Sequence, residues 1–361
     1  MSLSVDALRA EVARLAEGIG RPVQIMEVCG THTVSAFRSG VHSLLPPNVR
    51  LVSGPGCPVC VTAQRHIDAA IELAGRDVIL TTYGDMVRVP GRLGSLEKRR
   101  AEGARVQVVG SARTALAVAR AHPAEQVVFL GVGFETTAPA TAATVLEAER
   151  DGVENFSVLM CHKLVVPAML ALLAGGDVPL EGFLCPGHVS VIIGAAAYRP
   201  IVNHFGKPCV VAGFEPPQIL AGLAALLRQV VEGRAAVENV YPVVVSEEGN
   251  PAAKRLLEQC FVTADTPWRA LGVIPRSGLE LAANYRRFDA LERFGVQLGE
   301  DHDHPACRCG EVIQGKVTPP DCNLFGTVCT PAEPVGPCMV SSEGTCAAWH
   351  KYRRMATVGR S

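Results

Sequence analysis

An α/β fold with mostly parallel sheets is predicted from two features of the sequence. From Val23 to about Glu238, short β-branched runs alternate with Ala/Leu-rich stretches of helical periodicity, and a turn containing Gly or Pro separates them. Such alternation is typical of parallel strands joined by crossover helices. The residues with unusual chemistry fall where these strands end, which is where ligands bind in open parallel sheets.

Eight strands are expected, and with their helices they fit two modest sheets more readily than one large sheet. An amphipathic helix is predicted before them, over Ser2–Gly18. Gly133-Phe134-Glu135 and Gly213-Phe214-Glu215 each follow a strand, which is consistent with two related halves. The predicted strands are Val23–Val28, Val49–Ser53, Val78–Thr82, Val106–Val109, Val127–Gly131, Phe156–Met160, Gly182–Cys185 and Cys209–Ala212.

Three domains are expected, because 361 residues exceed one core of usual size. We predict an α/β domain over residues 1–122, a second over 123–239 and a Cys-rich domain over 240–361. Helices are predicted in the third domain over Pro251–Phe261 and Leu279–Phe294. Beyond Gly299 the sequence is rich in Cys, Pro and Gly and has little apolar periodicity. A segment this poor in core-forming residues needs another source of stability, which a bound metal cluster would supply.

Charge and hydropathy argue against binding of nucleic acid or an anionic membrane, and against a membrane-spanning segment. The 34 basic residues nearly balance the 35 acidic ones, so no global field favours binding of nucleic acid or an anionic membrane. The most apolar stretch, residues 156–173, is interrupted by His162, Lys163 and Pro167, and makes a poor membrane span. We expect a soluble cytoplasmic protein, in which clustered cysteines are more often metal ligands or redox thiols than structural disulfides.

Six of the 13 cysteines lie within forty residues near the C-terminus. They contain none of the paired C-x-x-C knuckles that zinc ribbons prefer, and no ferredoxin spacing. The long, irregular gaps favour an iron-sulfur cluster held by four of the six sulfurs. Structural zinc and a loop stapled by disulfides are the alternatives. The six residues are Cys307, Cys309, Cys322, Cys329, Cys338 and Cys346.

The segment MEVCGTHT at residues 26–33 is a second candidate site. Cys29 ends an apolar strand and precedes a helix predicted to start near Thr33. Its sulfur is therefore expected near backbone N–H groups and the positive helix end, which favours a thiolate. His32 could bind a metal with Cys29 or act as a base. The alternative is a buried, structural Cys29 with Thr31 as the helix N-cap.

The segment GPGCPVC at residues 54–60 places Cys57 and Cys60 at the start of a helix, again after a strand. In dithiol redox sites of this kind the helix activates the first sulfur, and the second resolves the disulfide. Half of a zinc site is the competing interpretation. No second C-x-x-C exists to complete such a site, so the sequence favours a redox pair.

Three further loops follow predicted strands. Glu135 lies in a loop that lacks the third glycine of a dinucleotide-binding motif and the G-K-[ST] ending of a P-loop. It is a candidate for proton transfer or hydrogen bonding, or else it caps the next helix. His162 and His188 lie in two similar loops, where each histidine alone would more often be structural. Cys260 falls within a predicted helix and is expected to be buried.

Taken together, these motifs resemble those of the HypD family of hydrogenase maturation factors. The similarity covers nearly the whole chain, and the motifs occur in the family's order. They are MEVCGTHT at 26–33, GPGCPVC at 54–60, YGDMVRVPG at 83–91, GFETTAP at 133–139, PGHVS at 186–190 and CMVSSEGTCAAW at 338–349.

The resemblance implies a scaffold for assembling the Fe(CN)2CO unit of nickel-iron hydrogenase, with a HypC-type chaperone and the cyanide donor HypE as partners. It implies two α/β domains and a domain that carries a 4Fe-4S cluster. Cys29 would bind the nascent iron, with His32 beside it. The cluster ligands implied by the resemblance are Cys307, Cys322, Cys329 and Cys346.

Further roles follow from the same resemblance. Cys309 and Cys338 would form a redox disulfide near the cluster, and Cys57 and Cys60 would be a second thiol pair facing the iron site. Glu135 and His188 match family motifs near that cleft. Such a protein is a redox-active assembly scaffold rather than a conventional turnover enzyme. The alternative is an iron-sulfur thiol-disulfide oxidoreductase, with a structural zinc protein as a third interpretation.

Overall fold

The computed structural model describes residues 4–358, in which the chain forms two parallel sheets and one antiparallel hairpin. The strands of this described part are β1 (Val23–Glu27), β2 (Val49–Ser53), β3 (Val78–Thr82), β4 (Val106–Val108), β5 (Gln126–Gly133), β6 (Phe156–His162), β7 (Gly182–Pro186), β8 (Cys209–Ala212), β9 (Val237–Asn239), β10 (Phe261–Trp268) and β11 (Gly272–Leu281).

Helices connect and cover the strands. Short 3-10 helices occur at Gly84–Arg88, Ala195–Tyr198, Ala283–Phe288 and Pro319–Asp321. The α-helices within residues 4–358 are α1 (Val5–Ile19), α2 (Gly30–Arg38), α3 (Val41–Leu44), α4 (Pro58–Val61), α5 (Gln64–Ala74), α6 (Leu96–Ala101), α7 (Ala112–Ala121), α8 (Ala138–Arg150), α9 (Val165–Ala174), α10 (Gly187–Ile193), α11 (Arg199–Phe205), α12 (Pro216–Val231), α13 (Pro251–Cys260), α14 (Ala290–Phe294), α15 (Cys309–Ile313), α16 (Pro337–Val340) and α17 (Thr345–Val358).

The predicted α/β class with mostly parallel sheets is confirmed. The first sheet has the order β2-β1-β7-β8-β9, the second has the order β4-β3-β5-β6, and all neighbours within both sheets are parallel. Each of the eight predicted strands is present, with ends shifted by at most two residues. Their near-continuous apolar runs arise because helices cover both faces of a parallel sheet.

The sheets divide the chain differently from the predicted boundary between residues 122 and 123. After β6 the chain returns to the first sheet, where β7 pairs with β1 so that Gly182 lies opposite Ile25. The first sheet therefore takes β1 and β2 from one predicted domain and β7, β8 and β9 from the other. The second sheet likewise combines β3 and β4 with β5 and β6.

One predicted element after residue 240 is wrong. Leu279–Phe294 was expected to be a single helix, but β11 continues to Leu281, where buried Leu279 and Leu281 alternate with exposed Glu280. α14 begins only after Asp289, whose Oδ1 accepts hydrogen bonds from the N–H groups of Leu291 at 2.7 Å and Glu292 at 3.1 Å. A strand with alternating burial, and then a short helix with its own N-cap, therefore occupy the segment that was predicted to be one helix.

Packing joins the two sheets into one body. A continuous group of buried side chains extends from Met26 on β1 and Phe183 on β7 to Leu80 on β3 and Leu130 on β5. The hairpin of β10 and β11 packs on β6 and α9, and α13 packs on α8. The predicted third domain, 240–361, is therefore split between the second sheet and the Cys-rich segment after Gly299. None of the helices within residues 4–358 is both long and apolar enough to cross a membrane.

Candidate thiol and metal site

Cys29 lies at the carboxyl end of β1, the strand between β2 and β7 in the first sheet. It is the N-cap residue of α2, which begins at Gly30, three residues before the predicted start at Thr33. The side chain of Cys29 makes no capping hydrogen bond, and the residue is half-buried. Its thiol is therefore positioned at a helix N-terminus without being consumed by the cap.

The C-terminal segment covers Cys29 from one side. A Cβ atom on Gly30 would lie 2.4 Å from the backbone O of Glu343, so only glycine permits this approach. Thr31 Oγ1 donates a hydrogen bond to Glu343 Oε1 at 2.7 Å. Two segments more than three hundred residues apart thus meet at the iron-binding candidate.

The predicted thiolate state of Cys29 is wrong for the protein without metal. Burial and then the charge of Glu343 raise the pKa of the Cys29 thiol to about 11, although the polar groups of His32 and Thr31 in the first turn of α2 act to lower it. Desolvation disfavours the charged form more than the helix end favours it. The raised pKa favours the protonated thiol, so a metal that bound Cys29 would have to displace the proton.

His32 is fully buried beside this site, and its Nε2 lies 2.9 Å from the backbone O of Gly213. Because a carbonyl only accepts, Nε2 carries the proton, and Nδ1 keeps a lone pair that has no hydrogen-bond partner in the described part of the chain. Burial lowers the pKa of His32 to about 4, so the ring is neutral. A neutral imidazole with a free nitrogen can act as a ligand or a base.

The ring of Phe214 packs against both His32 and the exposed His188. Phe214 lies with its centroid 4.6 Å from that of His32 and 3.9 Å from that of His188. Burial lowers the pKa of His188, while the charge of Glu343 raises it. The structure therefore brings the second Gly-Phe-Glu segment, His188 and Glu343 to the same place as His32.

The loop with the C-x-x-C motif lies against the backbone of Cys29. A Cβ atom on Gly56 would lie 2.3 Å from the carbonyl carbon of Val28 and 2.5 Å from the N of Cys29. Cys57 is the N-cap of α4, and its Sγ accepts a hydrogen bond from the N–H of Cys60 at 3.3 Å. Both cysteines are buried.

The prediction that helix α4 activates the first sulfur of this pair is wrong. Burial raises the pKa of Cys57 well above its ordinary value, and the neighbouring Cys60 adds to the shift. Burial also acts to raise the pKa of Cys60, but hydrogen bonds from Cys338 and Cys57 and the charge of Arg269 outweigh it, so this pKa is lowered to about 6. Hydrogen bonds from the sulfurs of Cys338 and Cys57, and after them the charge of Arg269, therefore favour a thiolate at Cys60 over one at Cys57.

All six C-terminal cysteines line one cavity. Within the described residues, no three His, Cys, Asp or Glu side chains converge on a point that could hold a single metal ion. A cluster is bound by its corners and needs four separate sulfurs instead of one common centre. Six thiols line the cavity and a 4Fe-4S cluster takes four, so the donor set is compatible with such a cluster.

Two contacts at this cavity are those a cluster site needs. The N–H of Val335 donates to Cys329 Sγ at 3.3 Å, as expected for a sulfur that carries negative charge when it is a ligand. A Cβ atom on Gly336 would lie 2.7 Å from Cys307 Sγ and would fill the space beside that sulfur. The absence of a side chain at residue 336 keeps the cavity open.

Cys338 connects this cavity to the C-x-x-C pair. Its Sγ lies 2.9 Å from that of Cys309, and both are free cysteines. Cys338 also lies within hydrogen-bonding reach of Cys346 and of Cys60. The contact arises because α16, which carries Cys338, packs on α4. A continuous series of sulfurs therefore leads from the cavity to the loop beside Cys29.

Glu135 makes its hydrogen bonds at another helix. Its carboxylate accepts hydrogen bonds from the N–H of Val165 at 3.0 and 3.3 Å and so caps α9, not the helix that follows it in sequence. Burial raises the pKa of Glu135 to about 7. His162 and Lys163 are also buried and bond to Thr141 Oγ1 and to the backbone O of Pro267. Cys260 is fully buried at the end of α13, as predicted.

Sequence reasoning missed three polar residues of the site. Glu343 contacts Thr31, and Asp85 Oδ2 accepts hydrogen bonds from the N–H of Ser342 at 3.0 Å and from Ser341 Oγ at 3.2 Å. Arg269 is buried beside the C-x-x-C helix. The first two lie within motifs of the family resemblance, but nothing in their spacing shows which segment each would meet.

The chain is similar to known proteins over nearly its whole length. Residues 4–353 match the HypD family model, which is described as the hydrogenase formation hypA family. The chain is 47% identical over 356 residues to the hydrogenase expression/formation protein HupD of Azotobacter chroococcum mcd 1, covering 96% of this chain and 93% of that protein.

Two relatives carry the name hydrogenase maturation factor HypD. That of Escherichia coli K12 is 45% identical over 352 residues, covering 97% of this chain and 94% of the relative. That of Azotobacter vinelandii is 48% identical over 343 residues, covering 92% and 90%. These matches extend over the sheets and the Cys-rich segment alike.

Proposed function

The chain belongs to the HypD family of hydrogenase formation proteins, and we propose that it is the scaffold on which the Fe(CN)2CO unit of nickel-iron hydrogenase is assembled. The observation that carries the proposal is the series of sulfurs that leads from the six-cysteine cavity, through Cys338 and Cys60, to the loop against Cys29. A protein that only bound iron would not need this series.

Cys29 is the proposed anchor for the iron of the unit. Low-spin iron with cyanide and CO ligands is soft and suits a thiolate donor. The pKa of Cys29 is raised to about 11 by burial and Glu343, so an arriving cation would take the place of the proton and relieve the cost of a buried charge. His32 Nδ1, which lacks a partner among the described residues, is the nearby nitrogen that could accept that proton or bind the metal.

A 4Fe-4S cluster bound by Cys307, Cys322, Cys329 and Cys346 would supply electrons one at a time. The cavity they line, the hydrogen bond from Val335 to Cys329 and the space left by Gly336 support this assignment. Cys309 and Cys338 are the remaining pair in the cavity, and α16, which carries Cys338, packs on the C-x-x-C helix.

Electrons are needed because release of cyanide from a sulfur-bound thiocyanate is a reduction. We propose that the dithiol of Cys309 and Cys338 reduces a disulfide of Cys57 and Cys60 by thiol-disulfide exchange, and that this second pair acts at the iron site. A HypC-type chaperone, which would share the iron with Cys29, and HypE, which would deliver cyanide, are the proposed partners.

The alternative is an iron-sulfur thiol-disulfide oxidoreductase, which the low pKa of Cys60 would also suit. Cys29 separates the two functions, because an oxidoreductase has no use for a third thiol beside His32. We expect Cys29→Ala to abolish hydrogenase maturation in cells that lack the native gene, while reduction of a model disulfide by the purified chain is unchanged. Maturation that survived this substitution would contradict the scaffold.

A further inference from the structure

Arg269 is a buried charge in a position that the proposed electron path does not otherwise explain. The residue is 5% exposed and directly follows β10. Its backbone N–H donates to the O of Val61 at 2.9 Å, and its Nε donates to the O of Thr62 at 3.0 Å. The guanidinium is therefore attached to the carboxyl end of α4, within two residues of Cys60.

Of the two terminal nitrogens of the guanidinium, only one has a hydrogen-bond partner among the described residues. Nη1 donates to Asp303 Oδ1 at 2.7 Å, but Nη2 is buried and has no hydrogen-bond partner in the described part of the chain. A buried, unpaired donor on a charged group costs free energy. Arginine cannot remove this cost by losing its proton, so a nearby negative charge would lower the energy of the site.

The neighbouring elements hold Arg269 in place. Lys163 Nζ donates to the O of Pro267 at 2.9 Å, and Trp268 Nε1 donates to Ser277 Oγ at 2.7 Å. Trp268 also forms an isolated β-bridge with Thr62. Pro267 and Trp268 are thus held in place at the end of β10, and Trp268 and Arg269 both contact Thr62 at the end of the C-x-x-C helix.

We infer that Arg269 is a positioning residue for the thiol pair, whose fixed positive charge stabilises the thiolate of Cys60 when the disulfide of Cys57 and Cys60 is reduced. The inference deepens the proposed function and rests on its assumption that these two cysteines are a redox pair. Two charges act on Cys60 in opposite directions: Arg269 favours its thiolate and Glu343 opposes it.

The chemical step balances as follows. The Cys338 thiolate attacks the sulfur of Cys60 and breaks its bond to Cys57, which leaves and takes a proton. The Cys309 thiolate then attacks Cys338, which forms the Cys309–Cys338 disulfide and releases Cys60 as a thiolate. Two electrons pass from one dithiol to one disulfide. Of the two protons from Cys309 and Cys338, one ends on Cys57 and one goes to solvent.

Arg269 acts on the second transfer, in which Cys60 is the leaving group. A thiolate of lower pKa leaves faster and makes the reduced pair more stable. Removal of the charge should therefore make the disulfide of Cys57 and Cys60 harder to reduce. A purely structural role for Arg269 would change the free energy of unfolding but leave this equilibrium unaltered.

The test is the reduction equilibrium of Cys57 and Cys60 in the purified full chain, kept under argon in buffers of reduced and oxidised dithiothreitol. Free thiols are alkylated after denaturation, and the peptide with both cysteines is quantified by mass spectrometry. For Arg269→Met we expect at least a tenfold shift of the equilibrium toward the disulfide, equal to about 30 mV. Arg269→Lys, which keeps a charge, should shift it less.

Two further variants keep the test decisive. Arg65→Met removes an ion pair to Asp301, two residues from Asp303, and should leave the equilibrium unchanged. Asp303→Asn removes the counter-charge of Arg269 and should shift the equilibrium toward the dithiol, even if Arg269→Met does not fold. An unchanged equilibrium in both Arg269→Met and Asp303→Asn, or no disulfide between Cys57 and Cys60 at any buffer ratio, would overturn the inference.

This measurement uses the chain alone, without partner proteins or the iron unit. Its failure would remove the role of Arg269 but not the binding of iron at Cys29. Conversely, if the iron unit were not assembled on this protein in cells, the reduction equilibrium of Cys57 and Cys60 in the purified chain would not change. The two outcomes can therefore be told apart.

Discussion

The sulfur of Cys338 lies 2.9 Å from that of Cys309 and also within hydrogen-bonding reach of Cys60. One residue of the Cys-rich segment is thus shared between the proposed cluster cavity and the C-x-x-C helix of the first sheet. Thiol-disulfide exchange requires an attacking sulfur in contact with the disulfide and a second sulfur to resolve it. Cys338 and Cys309 have the arrangement for these two roles.

Substitution of the resolving thiol should separate electron transfer from cluster binding. We expect Cys309→Ser to reduce hydrogenase maturation in cells to the background level while the purified chain retains its iron and acid-labile sulfide. Cys260→Ala, in which a buried cysteine far from the site is lost, is the control and should mature hydrogenase normally. Full maturation by Cys309→Ser would refute the relay.

A side chain at residue 336 should exclude the cluster. The Cβ atom of Gly336→Ala would lie 2.7 Å from Cys307 Sγ, inside the contact distance of any real pair. After anaerobic reconstitution we expect less than about half of the wild-type iron and a weaker visible absorption band, since the ligand sulfur is displaced. Gly299→Ala, where a Cβ meets nothing within 4 Å, should bind iron normally. Equal iron in the two variants would count against the assigned cavity.

The contact between the C-x-x-C loop and Cys29 can be tested in the same way. An added Cβ at Gly56 would overlap the backbone of Val28 and Cys29, so Gly56→Ala should move the loop away. We expect a loss of about 1–3 kcal/mol in the free energy of unfolding, measured with urea, and a large loss of maturation. Gly110→Ala adds a methyl group in open space and is the matched control. If Gly56→Ala matured hydrogenase normally, close approach of the loop to Cys29 would be unnecessary.

Glu135 makes stability depend on pH. Burial raises its pKa from 4.5 to about 7, so between these pH values the folded chain holds a proton that the unfolded chain has lost. Stability therefore falls as pH rises through this window, by an amount on the order of 3 kcal/mol.

Glu135→Gln removes this titration. As the pH rises from about 4.5 to about 7, the free energy of unfolding of this variant should increase relative to that of wild type, measured by urea unfolding under reducing conditions. The comparison of the two proteins at each pH cancels the other titrating groups. A difference that did not change with pH, or that changed in the opposite direction, would show that Glu135 is not protonated in the fold.

The positions of the strands could be predicted from the sequence, but their partners could not. Runs such as Val78–Thr82 are wholly buried and flanked by turns, which local periodicity detects. Nothing local shows that Gly182 pairs with Ile25 after four strands have formed another sheet. β9, β10 and β11 were not predicted. The turn between the last two strands contains Ala270 with a φ of 60°, a conformation that glycine usually signals.

The residues of the candidate site could be predicted from the sequence, but the pKa values of its thiols could not. Cys29, the C-x-x-C pair and the C-terminal cysteines are visible as residue types at strand ends or in a cluster. Burial has the largest effect on the pKa values of Cys29 and Cys60, and the charges of Glu343 and Arg269 also act on them. Tertiary contacts bring both charged residues from over two hundred residues away. Helix-end reasoning alone therefore assigned the activated thiol to the wrong residues.

The most direct test of the scaffold is infrared spectroscopy of the chain, purified without oxygen together with its co-expressed maturation partners. Metal-bound cyanide and CO have stretching bands in a region free of protein absorption. We predict that these bands appear in the wild-type complex and vanish in Cys29→Ala. A complex that contains the partners and a full complement of iron-sulfur cluster but shows no such bands would contradict assembly of the Fe(CN)2CO unit on this protein.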